Sequence, residues 1–547
     1  MISIKQKLYV SAIMLMGILA GCSLDYNEED FFTDTDFFND FQRTRAFLDG
    51  IYNRLPSGFN EIGGAMRASA SDDAIEADDL SNVKIFMDGR WQANQTIDDK
   101  WAEMYEGIRA ANVLLINLDE TLLEDFRFSD DYGDQLTQYR FFDEEARFLR
   151  AFFYFELMKR YGGVPVLYGE VLELSDLSRL ERGTLDEVKQ YIVGECNAII
   201  SALPPTPSFG PGGPHEGKPT SGAAKALKAR TLLYAASSLN GSTQIEWEEA
   251  AEAAHEIISD GFYTLDDYEN VVNDSRSTEL ILGRRIQPSN SFEVSNFPVG
   301  FASASPGTCP TQNLVDTYEM VNGMDINEPG SGYDPQNPYA NRDPRLLSSV
   351  IVNNSMWKGR RVQVWNGGLD GAPKELASPT GYYLKKYLVP SISIAPNNSS
   401  SARHLWVYFR YSEVLLNFAE AMNEAYGPNA DPKGYGLTAV DAMNQLRTKR
   451  GVAEYSGTDI AEARQEIRDE RRVELAFEDH RFWDLRRWEI GAQASVIRGM
   501  EVTYVTDSTF SFSEKMVENR MWDDRMNLYP IPQLEIFNTR MQQNPGW

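Results

Sequence analysis

The chain of 547 residues carries 81 acidic and 52 basic side chains, which gives a formal net charge of −29 at neutral pH. A surface this acidic repels phosphate backbones and anionic lipid headgroups, which argues against a nucleic-acid-binding protein and against membrane binding through surface charge. The chain has only three cysteines, and its length allows a hydrophobic core that needs no disulfides.

The N-terminus has the pattern of a bacterial lipoprotein signal. Lys5 and Lys7 precede an apolar stretch at 8–20, which is shorter than the roughly 20 residues that a membrane-spanning helix needs. Small residues then precede Cys22, and its thiol stands where a lipobox is acylated. We expect residues 1–21 to be a signal peptide, Cys22 to carry lipid chains such as palmitate, and the acidic segment 22–40 to be a tether.

The body, residues 41–547, is dominated by helical periodicity. Within it, the Ala-rich stretch 221–238, the break at Asn240-Gly241 and the stretch opening at Trp247 predict a helical hairpin like a tetratricopeptide unit. The predicted fold class is mainly α, with a tetratricopeptide-like scaffold of helix pairs at 97–262 and 405–490. Apolar residues recur at three- and four-residue steps in 97–120, 142–161, 221–238, 247–260, 407–425, 436–450 and 459–478.

The middle of the chain, 270–400, lacks long helical patterns and is rich in Gly, Pro, Asn and Ser. This composition predicts an irregular, loop-rich half with a few short strands or helices. Loops held by a rigid scaffold are the usual place for binding residues, so we expect the ligand-binding half here.

The sequence favours no metal or cofactor site. Its four histidines show neither metal-ligand spacing nor an HExxH motif. Spacing alone does not decide whether Cys196 and Cys309 pair, although two buried, unpaired thiols are the simpler interpretation.

Several segments that follow one another along nearly the whole mature chain form a recognisable set. They are 145–151, 154–157, 161–165, 342–345, 384–387, 410–421, 470–488, 529–532 and 543–547. Together, and in this order, they resemble the SusD/RagB family of outer-membrane lipoproteins. The resemblance implies a nutrient-binding protein of the cell outer membrane that serves polysaccharide utilisation, exposed at the surface and partnered by a SusC-like, TonB-dependent transporter. These are scaffold motifs, so they do not identify the ligand, whether glycan or peptide.

The candidate ligand contacts are aromatic and short polar side chains, because sugar rings present apolar C–H faces and hydroxyl groups. Trp91 and Asn94 resemble the ligand-contact pair of the starch-binding member, and the alternative is that Trp91 is a core residue. The other predicted members of the site are Asp72, Asp73, Arg90, Phe297 and Phe301.

Two other functions compete with nutrient binding. A glycan-cleaving lipoprotein would need two carboxyl groups at a suitable separation, and five glutamates from Glu462 to Glu478 follow one helix ridge at four-residue steps. We expect these glutamates to be structural, neutralised by Arg410, Arg447 and Arg450, and we expect no catalytic residue. A tetratricopeptide lipoprotein that assists envelope assembly is the second alternative.

Overall fold

The structure is a computed structural model that describes residues 37–205, 217–506 and 509–547. The predicted signal peptide, the lipidation site Cys22 and most of the acidic tether lie outside the described residues. Among the described residues, no helix combines the length and the apolar character that crossing a membrane would require.

Helices provide most of the regular structure. They are α1 Phe41–Tyr52, α2 Trp101–Asn117, α3 Tyr132–Tyr139, α4 Phe142–Tyr161, α5 Leu185–Ile199, α6 Ser221–Ala235, α7 Gln244–Asp260, α8 Tyr268–Val271, α9 Ser291–Val294, α10 Gln312–Thr317, α11 Arg345–Ser349, α12 Tyr411–Tyr426, α13 Ala439–Arg450, α14 Ile460–Glu474, α15 Arg481–Arg487 and α16 Gln533–Asn538.

The long helices begin and end where local chemistry requires. Thr243 and Glu246 form a capping box at the start of α7, which satisfies backbone N–H groups that lack intrahelical partners. Helix α4 stops at Gly162, whose φ of 74° is unfavourable for residues with a side chain. The predicted helix 459–478 ends earlier than expected, at Glu474, and the backbone turns to positive φ three residues later, at Phe477.

The scaffold is a continuous stack of helices. Helix α2 packs on α4, α4 on α5, α5 on α6, α6 on α7, and α7 on α12, which also contacts α13 and α14. The stack confirms the predicted mainly α fold. Helix α5 also belongs to it, although the sequence patterns did not single it out.

Among the described residues the strands are all paired antiparallel, and only the last two are longer than six residues. The pairs are β1 Ala74–Glu76 with β3 Thr308–Pro310, β2 Leu280–Arg285 with β8 Leu405–Arg410, β4 Val350–Ile351 with β7 Tyr383–Leu384, β5 Met356–Trp357 with β6 Arg360–Arg361, and β9 Val496–Thr506 with β10 Thr509–Asn519.

The core runs through both halves of the body. Cys196 and Cys309 are buried free thiols, as the simpler interpretation expected, and burial raises the pKa of each to about 12. Strand β8 leads directly into α12, so the irregular half and the scaffold share one hydrophobic interior.

Candidate ligand-binding surface

Asp72 and Asp73 lie just before β1 and are not ligand contacts, which corrects the prediction. Their exposed fractions are 3% and 1%. Asp72 accepts hydrogen bonds from Arg481 at 2.8 and 2.9 Å, and Asp73 accepts one from Arg472 at 2.7 Å. Burial alone would raise the pKa of Asp72, but Arg472 and Arg481 hold it well below its ordinary value. These carboxylates join the segment before β1 to α14 and α15.

Trp91 is a core residue, so the expectation that it forms a stacking platform is wrong. Only 1% of its surface is exposed. Its ring centroid lies 4.8 Å from that of Phe86, 4.9 Å from that of Tyr529 and 4.8 Å from that of Trp547. The three rings pack edge to face against Trp91 and enclose it, which is an arrangement that aromatic side chains favour. No face of Trp91 is left for a sugar.

Arg90 and Asn94, the predicted companions of Trp91, are exposed. Arg90 forms an ion pair with Asp88 at 2.5 Å, and Asn94 lies in the tight turn closed by Gln92 and Gln95. Both remain candidate contacts, but without the aromatic face that was expected between them.

The two predicted aromatic contacts, Phe297 and Phe301, differ in how far their side chains are buried. Phe297 is fully buried and packs against Trp357 at 5.8 Å, with Lys358 above its ring, so it cannot contact a ligand and the prediction is corrected. Phe301 is half-buried, and the guanidinium of Arg360 lies 3.9 Å from its ring centroid.

Asp370 organises the loops around Phe301. It is completely buried and binds Arg360 through two hydrogen bonds of 2.6 and 2.7 Å. It also accepts hydrogen bonds from the backbone N–H groups of Gly300 and Gln363. A buried carboxylate with this many donors rigidly joins the loop at 297–301 to the loop at 363–371.

The loop at 363–371 depends on its glycines. A side chain at Gly371 would approach the carbonyl oxygen of Trp365 to 2.2 Å, and one at Gly368 would approach that of Gln363 to 2.5 Å. The chain can therefore fold back tightly and fix the position of Trp365 in the turn.

Trp365 meets the β9–β10 hairpin in a partly exposed group of rings. Its ring centroid lies 5.5 Å from that of Tyr504, nearly parallel, and 5.1 Å from that of Phe510. Tyr504 and Phe510 are cross-strand partners, so both point to the same face of the hairpin. Tyr504 is 47% exposed, and Asn366 beside Trp365 is exposed. We call Trp365, Tyr504 and Phe510 the aromatic surface.

The sequence analysis missed this surface, although part of the signal is present. Val502, Tyr504, Phe510 and Phe512 alternate with polar residues, and this period of two is typical of strands. The contact between the hairpin and Trp365 joins distant segments, and no local pattern shows it.

The glutamate ridge of α14 is a structural network. Glu474 is completely buried and contacts Arg410 and Arg450 at 2.7 Å and Arg345 at 2.8 Å. Burial would raise the pKa of Glu474, but these cations hold it well below the ordinary value. A carboxylate that is enclosed and held ionised at neutral pH cannot protonate a glycosidic oxygen.

Two further glutamates of the ridge are paired in the same way. Glu470 contacts Arg345 at 2.5 Å, and Glu478 contacts Lys386 at 2.6 Å, with all four side chains buried. Glu470, Glu474 and Glu478 therefore do not provide the carboxyl pair that the glycan-cleaving alternative needs. Across the described part of the chain, no group of three or more His, Cys, Asp or Glu side chains is arranged to hold a metal ion.

Comparison with known proteins gives a consistent result. The model of the SusD family matches residues 278–547, and a model described as "Starch-binding associating with outer membrane" matches residues 43–233. SusD-like protein P2 of Formosa agariphila is 22% identical, over 99% of this chain and 100% of that protein. SusD-like protein P25 of the same organism is 22% identical, over 86% of this chain and 87% of that protein.

Solved structures show the same fold. A SusD-like protein from Bacteroides fragilis has 26% identity and a TM-score of 0.76, covering 94% of this chain and 99% of that chain. A SusD-like carbohydrate-binding protein from the same species has 22% identity and a TM-score of 0.73, covering 92% and 99%. A laminarin-binding SusD-like protein has 20% identity and a TM-score of 0.60, also covering 92% and 99%.

Proposed function

The chain belongs to the SusD family, and on that premise we propose that it binds a glycan at the bacterial surface without cleaving it. The observation that carries the proposal is the aromatic surface. The exposed parts of the Trp365 and Tyr504 rings that they do not cover for each other offer apolar surface to the C–H faces of sugar rings, and Asn366 offers an amide to their hydroxyl groups.

An open surface of this kind suits reversible capture. Stacking on one side of a sugar, with a few hydrogen bonds at the edge, leaves most of the ligand free to be passed on. We propose that the recipient is a SusC-like, TonB-dependent transporter in the outer membrane, with this protein tethered beside it through lipid on Cys22. The lipobox and the family support this arrangement.

The names of similar proteins indicate which glycans to test first. One matching family model is described as starch-binding, and one similar structure is described as laminarin-binding. Neutral glucans are therefore suitable first probes in an array that also contains acidic glycans and peptides.

The test uses the intact lipoprotein purified in detergent. After the array has identified a glycan, calorimetry compares wild type with Trp365→Ala. Truncating a stacking residue at a binding hot spot costs about 2 kcal/mol or more, which is roughly a thirtyfold loss of affinity. Phe537→Ala is the control, because Phe537 is 76% exposed and lies in α16, outside the aromatic surface.

Unchanged affinity in Trp365→Ala would refute the aromatic surface as the glycan site. Release of reducing ends by the purified protein would instead select the glycan-cleaving alternative. Protection of the protein from protease added to whole cells would place it inside the envelope and favour the assembly alternative.

A further inference from the structure

A separate cavity of about 380 Å³ opens between α8, β5 and the loop at 385–390. Its volume lies within the range of roughly 300–1,000 Å³ that is typical of small-molecule sites. The wall is mixed in character, with aromatic, hydroxyl and charged side chains. It is lined by Tyr268, Glu269, Ser348, Trp357, Lys358, Lys385, Lys386 and Tyr387, among others.

Two of the lining lysines have no carboxylate partner among the described residues. Lys358 donates to the backbone carbonyls of Pro390 and Ile392, and Lys385 donates to that of Leu347. An ammonium group has three N–H donors, so both lysines keep donors unused and a positive charge unneutralised. Burial lowers the pKa of each lysine, because it removes water from around the ammonium group.

The remaining charges at the wall are one matched lysine and one carboxylate. Lys386 contacts Glu478 at 2.6 Å and donates to the hydroxyl group of Tyr268 at 2.8 Å. Glu269 is exposed, accepts a hydrogen bond from Ser348 at 2.8 Å and favours the charged form of Lys385. Lys358 and Lys385 therefore outnumber this one carboxylate, and the cavity keeps an excess of positive charge in a protein with a net charge of −29.

We propose that this cavity binds a sugar residue that carries an oxyanion, the carboxylate of a hexuronic acid or a sulfate ester. The oxyanion lies between Lys358 and Lys385, and the hydroxyl groups face the polar wall. Only the choice of a saccharide as ligand rests on the proposed function. The site is distinct from the aromatic surface, since it shares no residue with it.

The intact lipoprotein is titrated with galacturonate, galactose 6-sulfate, galactose and acetate, and binding is followed by calorimetry at low salt. We expect at least one of the two acidic sugars to bind at least tenfold more tightly than galactose and acetate. The comparison of galacturonate with galactose 6-sulfate identifies the oxyanion. Raising the salt concentration should weaken this binding, because the charges are partly open to solvent.

Lys358→Gln and Lys385→Gln, made separately, should each weaken acidic-sugar binding at least tenfold. Lys374→Gln is the matched control, because Lys374 is exposed and lies in the same half without lining the cavity. The sugar affinity of either lysine variant can be compared with that of wild type when the unfolding midpoint of that variant is close to the wild-type value.

Equal affinity for galactose and both acidic sugars, acetate binding as tight as sugar binding, or full affinity in both lysine variants would overturn the proposal. Trp365→Ala should leave acidic-sugar binding unchanged. If polymers bind through Trp365 without preference for charge, only the cavity proposal fails. If an acidic sugar binds through the lysines but no polymer binds, only the aromatic surface fails.

Discussion

At the level of single residues, burial decides which aromatic side chains can contact a ligand. Trp91 and Trp365 both lie in stretches without strong helical pattern. Trp91 is enclosed by Tyr529 and Trp547 from the far end of the chain, a contact that no local sequence pattern reports. Trp365 lies in a glycine-rich stretch that does predict a loop, so its partial exposure could have been inferred.

Trp91→Ala should destabilise the fold and not act through lost ligand contacts. Removing a fully buried Trp side chain costs about 3–5 kcal/mol, because the packing is lost and a cavity remains. Urea unfolding of the purified protein should show a clearly lower midpoint. Trp365→Ala, on the partly exposed aromatic surface, should cost less than about 1 kcal/mol. An unchanged midpoint in Trp91→Ala would contradict the enclosed position.

At the level of elements, the glutamate ridge shows what periodicity can and cannot predict. Four-residue spacing placed the glutamates from Glu462 to Glu474 on one face of α14, whereas Glu478 follows the end of the helix. Arg410 and Arg450 lie opposite Glu474 as expected. Arg447 contacts Glu466 at 2.6 Å, also as expected. The sequence analysis missed Arg345, because it comes from α11 in the irregular half, where no period indicates which face meets the scaffold.

Glu474→Gln should strongly destabilise this junction. It leaves three buried arginines short of one negative charge, and breaking a buried ion pair typically costs about 3–5 kcal/mol. Glu462→Gln is the matched control on the same helix, and since Glu462 is exposed its effect should stay within about 0.5 kcal/mol. Thermal unfolding at pH 7 measures both variants.

The same network gives the stability a defined dependence on pH. The pKa of Glu474 is lowered in the folded protein, so its contribution is complete above the ordinary glutamate pKa and is lost as the pH falls below it. The difference between wild type and Glu474→Gln should therefore shrink on acidification. A difference that is constant from pH 7 to pH 3 would contradict the ionised, paired carboxylate.

At the level of the whole molecule, the helical scaffold was more predictable than the binding half. The stretch 142–161 coincides with α4, because apolar spacing and a glycine at the end predict a helix from local sequence. The aromatic surface depends on Trp365 meeting a hairpin that begins at Val496. Such a contact between distant segments follows from tertiary packing, which single-sequence patterns do not contain.

The last prediction concerns how the molecule is held at the membrane. Its net charge of −29 repels anionic headgroups, and the described residues contain no helix suited to crossing a membrane. We propose that the attachment is made by lipid on Cys22, where each buried CH₂ group would contribute about 0.8 kcal/mol and several chains would give a stable anchor. Cys22→Ala should move the protein from the membrane fraction to the soluble fraction with its thermal unfolding unchanged.

The control for this variant is wild type carried through the same high-salt wash, which removes proteins held only by charge and should leave the lipoprotein in the membrane fraction. If Cys22→Ala also stays with the washed membranes, a second attachment exists. Because the body carries an excess of negative charge, that attachment would have to be apolar or made through another protein. A transporter partner that holds the body tightly would be retained together with the variant, and detergent extraction followed by co-purification would identify it.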